Sequence, residues 1–408
     1  MGTVVELLQS ALHLKALLDA SRRVPGYLVE KDSLIWRWVA KGFVHHHQPH
    51  DYHRRAAAAA AADTGTVGSS SSSLYEIGES YLNELVNRGM IETSTQGRCL
   101  VHPIMLSLVR YFSSQEDFVI VMDRDRRHSC PYTRRRNTRC GCGYAPRLAM
   151  RTTTNIPNID AAAAAVGKIS NLNMGGVRSF DARTRRLSCV DVDDVPPQLL
   201  GSFQVFRLLA LEHCRGGVGS EHLKQIEKLR HLRYLSLLGT PVIIAEDADE
   251  LPETAGEEEE ALGLGALRLL QTLDLRGTGI KALPTVVFEL RRLMCLCVDG
   301  ASVDGGNKWS EMRKLTSLEE VRLRCGSGDD TRSSLEHLAA VLDGLTEPQV
   351  VEISELDATT EGAAMDALAR SLPRLKKIRR LALRYNGYDD LGPAASSGWV
   401  RIARSFSR

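Results

Sequence analysis

The chain has 408 residues, 43% of them hydrophobic and 25% charged, with a formal net charge of +2. This is an ordinary globular composition, long enough for two or three packed units, and so balanced a charge supplies no global field selecting nucleic acid or membrane as partner. No apolar run approaches the ~18 residues of a transmembrane helix, and nine scattered cysteines argue against a disulfide framework.

In chain order, Met1-Gly2-Thr3-Val4-Val5-Glu6 carries no secretory signal and lacks the Ser or Thr expected at the sixth position of a myristoylated protein. The expectation is therefore a reduced, cytoplasmic protein. Leu7, Leu8, Leu12, Leu14, Leu17 and Leu18 have the spacing of a first helix. The segment from Leu34 to Val44 reads as a short amphipathic helix with Gly42 as its C-cap. From His45 to Ser73 the sequence loses all amphipathic period. It holds an alanine run from Ala56 to Ala62 and serines from Ser69 to Ser73, and reads as a disordered surface insertion. Its His45, His46, His47, His50 and His53 lack the Cys or carboxylate framework of a metal site. A second helix is expected from Leu74 to about Arg88, with Ile77, Tyr81, Leu82, Leu85 and Val86 on one face and Gly89 beyond its end. A hairpin follows, Met90-Ile91-Glu92 against Cys99-Leu100-Val101 around Gln96-Gly97, and then a helix from Ile104 to Phe112. Helix, helix, hairpin, helix is the order of a winged-helix domain, here spanning 1–112 with its insertion at 45–73.

Residues 113–146 read as a basic irregular linker, and nine arginines fall within 124–151. The group His128, Cys130, Cys140 and Cys142 lacks the paired Cys-x-x-Cys spacing of structural zinc.

From 147 onward one spacing dominates. It runs Ile226-x-x-Leu229-x-x-Leu232-x-x-Leu235-x-Leu237, then Leu264-x-x-Leu267-x-x-Leu270-x-x-Leu273-x-Leu275, then Leu290-x-x-Leu293-x-x-Leu296-x-Val298. The same register is present at Met174 to Ala182, Phe203 to Leu211, Met312 to Leu323 and, more loosely, at Val351-Glu352-Ile353 and Leu381-Ala382-Leu383. Apolar residues three apart make a winding turn with its side chains inward, and the closing L-x-L is a short strand with both leucines facing the core. One such unit cannot bury its leucines alone, so several must stack. This is the leucine-rich repeat pattern. Strand starts at 148, 180, 209, 235, 273, 296, 321, 351 and 381 give about nine irregular repeats over 147–408, interrupted by an acidic loop at 245–260. The expected fold class is thus α+β with repeats: a winged helix followed by a leucine-rich-repeat solenoid.

The segments LIWRWVAKGFV, LYEIGESYLNELVNRGMIE and CLVHPIMLSLVRYFSS, in that order and ahead of leucine-rich repeats, resemble the C-terminal part of a plant nucleotide-binding leucine-rich-repeat disease-resistance protein. The resemblance covers the chain from about Tyr27 onward. It implies a role in innate immunity, in which the winged helix closes the nucleotide-binding module and the repeats recognise a pathogen effector, a guarded host protein or another immune receptor chain.

Three departures accompany the match. A full member would carry a signalling domain and a P-loop upstream, so the chain reads as truncated. Gly167-Lys168 has Ala162 in place of the first P-loop glycine and Ile169 in place of the magnesium-binding hydroxyl, which leaves nothing to cradle a triphosphate. The family's Met-His-Asp signature reads Val101-His102-Pro103, so the resemblance makes His102 a vestigial phosphate contact while Pro103 removes the carboxylate.

There is no Gly-x-Ser-x-Gly elbow, no His-Glu-x-x-His and no nucleophile–base pairing, which points away from an enzyme. The partner-binding candidates are the residues flanking the inward leucines on the concave strands: Tyr234, Ser236, Asp274, Arg276, Arg322, Arg324, Glu352 and Arg384. Two other readings are a winged-helix nucleic-acid-binding protein and a non-functional truncated paralogue. The first is disfavoured by Glu76, Glu79 and Glu84 on the second helix, where a helix facing phosphates needs cations. The reading of Gly167-Lys168 predicts that calorimetry of this chain with ATP or ADP detects no binding, and micromolar affinity would contradict it.

Overall fold

The structure, a computed structural model, describes residues 29–44, 73–94, 98–102, 104–105, 120–123, 147–151, 177–183, 191–192, 195, 197–243, 263–304, 309–325, 350–356 and 380–385. The leucine-rich helix before Gly26, the body of the 45–73 insertion, the His128–Cys142 group, Gly167-Lys168 and the acidic loop lie outside these residues. The chain divides into two compact units, Met1–Val119 and Ile120–Arg408.

In the first unit, strand β1 (Val29–Glu30) leads directly into helix α1 (Lys31–Lys41). The helix ends at Gly42, whose φ of 75° only glycine adopts without strain, so the chain reverses and Gly42 N–H and Phe43 N–H close onto Val39 O and Trp38 O at 3.0 Å each. The expectation of an amphipathic helix is corrected here. Nearly all of α1 is buried, with Arg37 and Lys41 included beside Leu34, Ile35, Trp36 and Trp38.

Helix α2 (Leu74–Asn87) begins at Ser73. The Ser73 hydroxyl accepts from Tyr75 N–H at 3.1 Å while the Glu76 carboxylate accepts from Ser73 N–H at 3.0 Å. This reciprocal cap makes the last residue of the serine run part of the helix start and not of the insertion. The buried face is Tyr75, Gly78, Leu82 and Leu85, which is shifted from the expected Ile77 and Tyr81. The shift has a steric cause. A Cβ on Gly78 would lie 2.7 Å from Ile35 Cγ2, so the missing side chain lets α1 and α2 approach closely. Trp36 and Tyr75 pack with ring centroids 5.6 Å apart, and the Tyr75 hydroxyl donates to the buried Asp32 carboxylate. Strands β2 (Ile91–Thr93) and β3 (Arg98–Val101) form the expected antiparallel hairpin, and β1 adds to the other edge of β3 in the order β1-β3-β2. Of the last expected helix, only Ile104 and Met105 are described, and both are helical.

The second unit is built on one parallel ladder. Its strands are β4 (Ile120–Asp123), β5 (Arg147–Arg151), β6 (Ser179–Arg183), β7 (Leu208–Glu212), β9 (Tyr234–Ser236), β11 (Thr272–Asp274), β12 (Cys295–Asp299), β13 (Glu320–Arg324), β14 (Val350–Leu356) and β15 (Arg380–Tyr385), adjacent in chain order. The short strands β8 (Val218–Gly219) and β10 (Val242–Ile243) pair separately. All nine expected strand starts fall in this ladder and in register, Leu148 beside Phe180, then Leu209, Leu235, Leu273, Leu296, Val321, Val351 and Leu381. The tenth strand, β4, lies inside the segment read as irregular linker and pairs Ile120 with Leu148.

The approach to each strand explains the three-residue spacing. Leu229 N–H donates to Ile226 O and Leu232 N–H to Leu229 O at 3.0 and 2.8 Å, and the same i to i+3 pattern recurs at Leu264–Leu267–Leu270, Val287–Leu290–Leu293 and Met312–Leu315–Leu318. Three residues per turn put every third side chain on one side, and that side is the core. Neighbouring turns are then stitched sideways: Gln271 N–H to Arg233 O, Met294 N–H to Gln271 O and Glu319 N–H to Met294 O, each at 2.8 Å. Preceding the strands are helix α3 (Pro197–Gly201), helix α4 (Ser220–Glu227) and the 3-10 turns Leu264–Ala266, Thr285–Glu289 and Trp309–Lys314, so the backs of the units vary while the strands do not. A short helix α5 (Gly300–Asp304) follows β12.

Leu296, fully buried in the middle of this column, sits between Leu273 and Val321. Leu296→Ala should cost about 2–5 kcal/mol through lost burial and a residual cavity, measured as a lowered midpoint in urea denaturation.

Candidate functional site

Strand residues alternate between faces, so aligning the ladder by its inward leucines generates outward columns. One column reads Ser179, Leu208, Tyr234, Thr272, Cys295, Glu320, Val350; the next reads Asp181, Ala210, Ser236, Asp274, Cys297, Arg322, Glu352, Ala382. Each sequence-predicted partner residue of the second unit lies on or immediately beyond these columns. Arg384 lies on β15 by its backbone, and its side chain is outside the description.

Sequence reasoning placed these side chains open to a partner, whereas the structure places most of them inside a network. Tyr234, Ser236, Asp274, Arg322 and Glu352 are buried. Arg322 lies between two carboxylates, Nε on Glu320 and Nη1 3.4 Å from Glu352 Oε2, one partner on its own strand and one on the neighbour. Arg276 grips Asp274 with both arms, Nε to Oδ1 at 3.0 Å and Nη2 to Oδ2 at 2.7 Å, the fork geometry that arginine is built for. Burial works to lower the Arg276 guanidinium, but Asp274 overrides it and holds it well above the usual arginine value. Arg324 reaches Asp299 with Nε to Oδ1 at 2.7 Å and Nη2 to Oδ2 at 3.3 Å, and Asp299 also accepts Gly277 N–H at 2.9 Å. Gly277 has φ 70°, so this carboxylate pins a left-handed turn just past β11. The side chains of Arg322, Arg276 and Arg324 are 4%, 11% and 37% exposed, which makes Arg324 the guanidinium of the three most available to a partner.

Glu320, Asp299, Cys295 and Cys297 belong to the same face and were missed. The signal was the two-residue rhythm Glu320-x-Arg322-x-Arg324, which becomes legible once strands are aligned by their leucines. Cys295 and Cys297 approach with Sγ atoms 3.7 Å apart, and burial, aided by that contact, pushes the Cys295 thiol well above its ordinary value. Cys214 is likewise driven by burial to about 12, against a hydrogen-bonding group at Thr240 that lowers it. Among the described residues the hydroxyls of Ser179, Ser236 and Thr272 are buried without a hydrogen-bond partner, all three on the outward face.

His102 stands at the end of the hairpin in the other unit. Its N–H donates to Met90 O at 3.1 Å and its Nδ1 accepts from Ile104 N–H at 3.3 Å, so both contacts are local. Among the described residues no group of His, Cys, Asp and Glu is arranged to hold a metal ion, and no helix is long and apolar enough to cross a membrane.

Removing Arg322 would take away the guanidinium that lies between the buried Glu320 and Glu352 carboxylates. Arg322→Ala should therefore lower stability by about 3–5 kcal/mol, and Arg322→Met combined with Glu320→Gln and Glu352→Gln should recover much of it in chemical denaturation.

Residues 177–407 match the family described as a leucine-rich repeat region. Two proteins of Oryza sativa subsp. japonica are similar to the chain. Disease resistance protein RGA5 is 24% identical over 370 residues, covering 88% of this chain and 26% of RGA5. Disease resistance protein Pik-2 is 22% identical over 289 residues, covering 69% of this chain and 21% of Pik-2. The chain thus spans about a fifth to a quarter of the length of these relatives.

Proposed function

The chain belongs to the leucine-rich repeat family, and on that premise we propose that it is a non-enzymatic recognition protein of innate immunity, acting inside the cell by binding another protein through the outward face of its parallel strands. The similarity to two rice disease resistance proteins supports the biological setting. In this reading each strand with its three-residue turns is one repeat, the repeats stack into a solenoid, and the α1, α2 and three-stranded antiparallel arrangement of the first unit is a winged helix. The partner is a pathogen effector, a guarded host protein or another receptor chain, and the nucleotide switch of longer relatives plays no part in the contact.

The observation that carries the reading is the ladder register. A parallel sheet offers its outward side chains at a fixed pitch of about 4.8 Å, and the row Ser236, Asp274, Cys297, Arg322, Glu352, with Tyr234 in the adjacent row and Arg324 at the margin, varies in chemistry while the inward row from Leu235 to Val351 stays aliphatic. A face whose inward side is committed to the core can change partners by changing outward residues alone. Nucleic-acid binding by the first unit fits less well. On α2, Glu79 pairs with Lys31, Glu84 pairs with Arg88 and Glu76 caps the helix, so that face carries no surplus of cations.

The test is a yeast two-hybrid selection of the full chain against a library of secreted pathogen effectors and host immune proteins, repeated with Arg324→Gln. Because the Arg324–Asp299 pair is partly exposed, its loss should change stability by less than about 1 kcal/mol. Loss of an interface arginine should weaken a selected partner by roughly 10-fold or more, measured by surface plasmon resonance on the purified pair. Partners indifferent to Arg324, and to Arg276→Ala and Arg322→Met in chains shown to remain folded, would place recognition elsewhere.

A further inference from the structure

The turns that lead into β11, β12 and β13 form an open cavity of about 860 Å³ whose lining includes Arg268, Phe288, Glu289, Arg291, Arg292 and Lys314. It uses none of the outward strand residues. We propose that this cavity is an anion site for a ligand carrying several phosphate groups.

Arg268 sits between Leu267 and Leu270, Arg291 and Arg292 between Leu290 and Leu293, and the leucines of both turns are buried in the core. The backbone is thereby fixed while the intervening arginines are exposed. The two turns are linked by the hydrogen bond from Met294 N–H to Gln271 O, so they share the ladder spacing, and their arginines line one cavity from consecutive levels. Lys314, from the next level, adds a fourth cation.

Charge compensation is incomplete. Lys314 pairs with Glu311, and Glu289 lines the cavity. Among the described residues no carboxylate pairs with Arg268, Arg291 or Arg292. On the strand face, by contrast, Arg276, Arg322 and Arg324 each have a carboxylate partner. Three guanidinium forks on two successive levels suit phosphate, because each fork takes two oxygens of a tetrahedral anion and several such anions on one skeleton span both levels at once. A single carboxylate would engage one level only. The Thr316 hydroxyl adds a donor to the lining, and the buried Phe288 and Leu290 hold its floor in the core. A soluble polyphosphorylated metabolite and a phosphorylated lipid headgroup present the same chemistry.

The full chain would be titrated with inositol hexakisphosphate by calorimetry at physiological ionic strength, and floated with phosphatidylcholine vesicles containing phosphatidylinositol bisphosphate. One ligand per chain is expected. Arg268→Gln, Arg291→Gln and Arg292→Gln together should weaken binding by roughly 30-fold or more, and Arg291→Gln alone by roughly 5-fold. A control with Arg230→Gln and His231→Gln, which are exposed on the preceding turn and do not line the cavity, should change it less than about 2-fold. All variants alter exposed side chains, so coincident thermal melts check that the fold is kept. Binding in the calorimeter assigns a soluble source, and flotation without it assigns a lipid headgroup. No binding in either arm would overturn the proposal, as would a control that loses as much as the triple variant, since the cations would then act as a diffuse basic surface. The strand-face recognition proposed above would stand in either case, because Arg324 is in neither variant.

Discussion

Everything in the second unit depends on the sideways hydrogen bonds between one turn and the next. Arg233 N–H to Arg207 O, Gln271 N–H to Arg233 O, Met294 N–H to Gln271 O and Glu319 N–H to Met294 O form a spine at 2.8 Å along the entry to the strands. They lock each level to its neighbour before the strand begins, and so fix which residue of one strand lies beside which residue of the next. A slip of one residue would turn every inward leucine outward. The leucine column and the spine are therefore two statements of one constraint, since the column makes slippage costly and the spine removes the freedom to slip.

The outward face inherits its chemistry from that register. Once Val321 is set beside Leu296, Glu320 falls beside Cys295, Arg322 beside Cys297 and Arg324 beside Asp299. The next strand then brings Glu352 beside Arg322. Charges that look unrelated in the sequence become a network of ion pairs because parallel strands bring the columns together. A buried ion pair contributes little net stability over an apolar pair, but each partner makes the other indispensable. Arg322 is for this reason more a structural residue than a contact, and Arg324, at the margin of the same network, combines a fixed position with access to solvent.

Legibility differed between the two kinds of information in the sequence. The strands were legible because two signals coincide, the three-residue spacing of the turns and the L-x-L closure, and the structure places Leu235, Leu273, Leu296 and Val321 directly side by side. Strand β4 was not legible. Its Ile120-Val121-Met122-Asp123 has no L-x-L closure and stands close to a basic run, so composition outweighed periodicity. Helix α1 was misjudged for a different reason. Arg37 and Lys41 are buried with the rest of the helix, and only tertiary contact, with Gly78 of α2 admitting Ile35, decides that it is enclosed. The partner candidates were found as positions but not as environments. Burial on the outward face, and the cross-strand contacts there, depend on neighbours about 22 to 31 residues away along the chain, as for Asp299 with Gly277 and Ser354 with Leu323.

The sheet thus presents two surfaces governed by different physics. On the strand face Asp274, Asp299, Glu320, Arg322 and Glu352 are already paired, so a protein docking there would gain only what remains after disturbing those pairs. At the turn edge, Arg268, Arg291 and Arg292 have no such internal partners among the described residues, so their attraction for an anion is not offset by a broken ion pair, though it is screened by salt. The same ladder produces both outcomes. The charged strand residues Asp274, Asp299, Glu320, Arg322 and Glu352 lie opposite another strand and find partners on or beside it, while the residues between the turn leucines project where no neighbouring strand runs. Surplus charge on a leucine-rich ladder is therefore expected at its turns and not on its strands, and the distribution of arginines between Arg268 and Arg324 follows that rule.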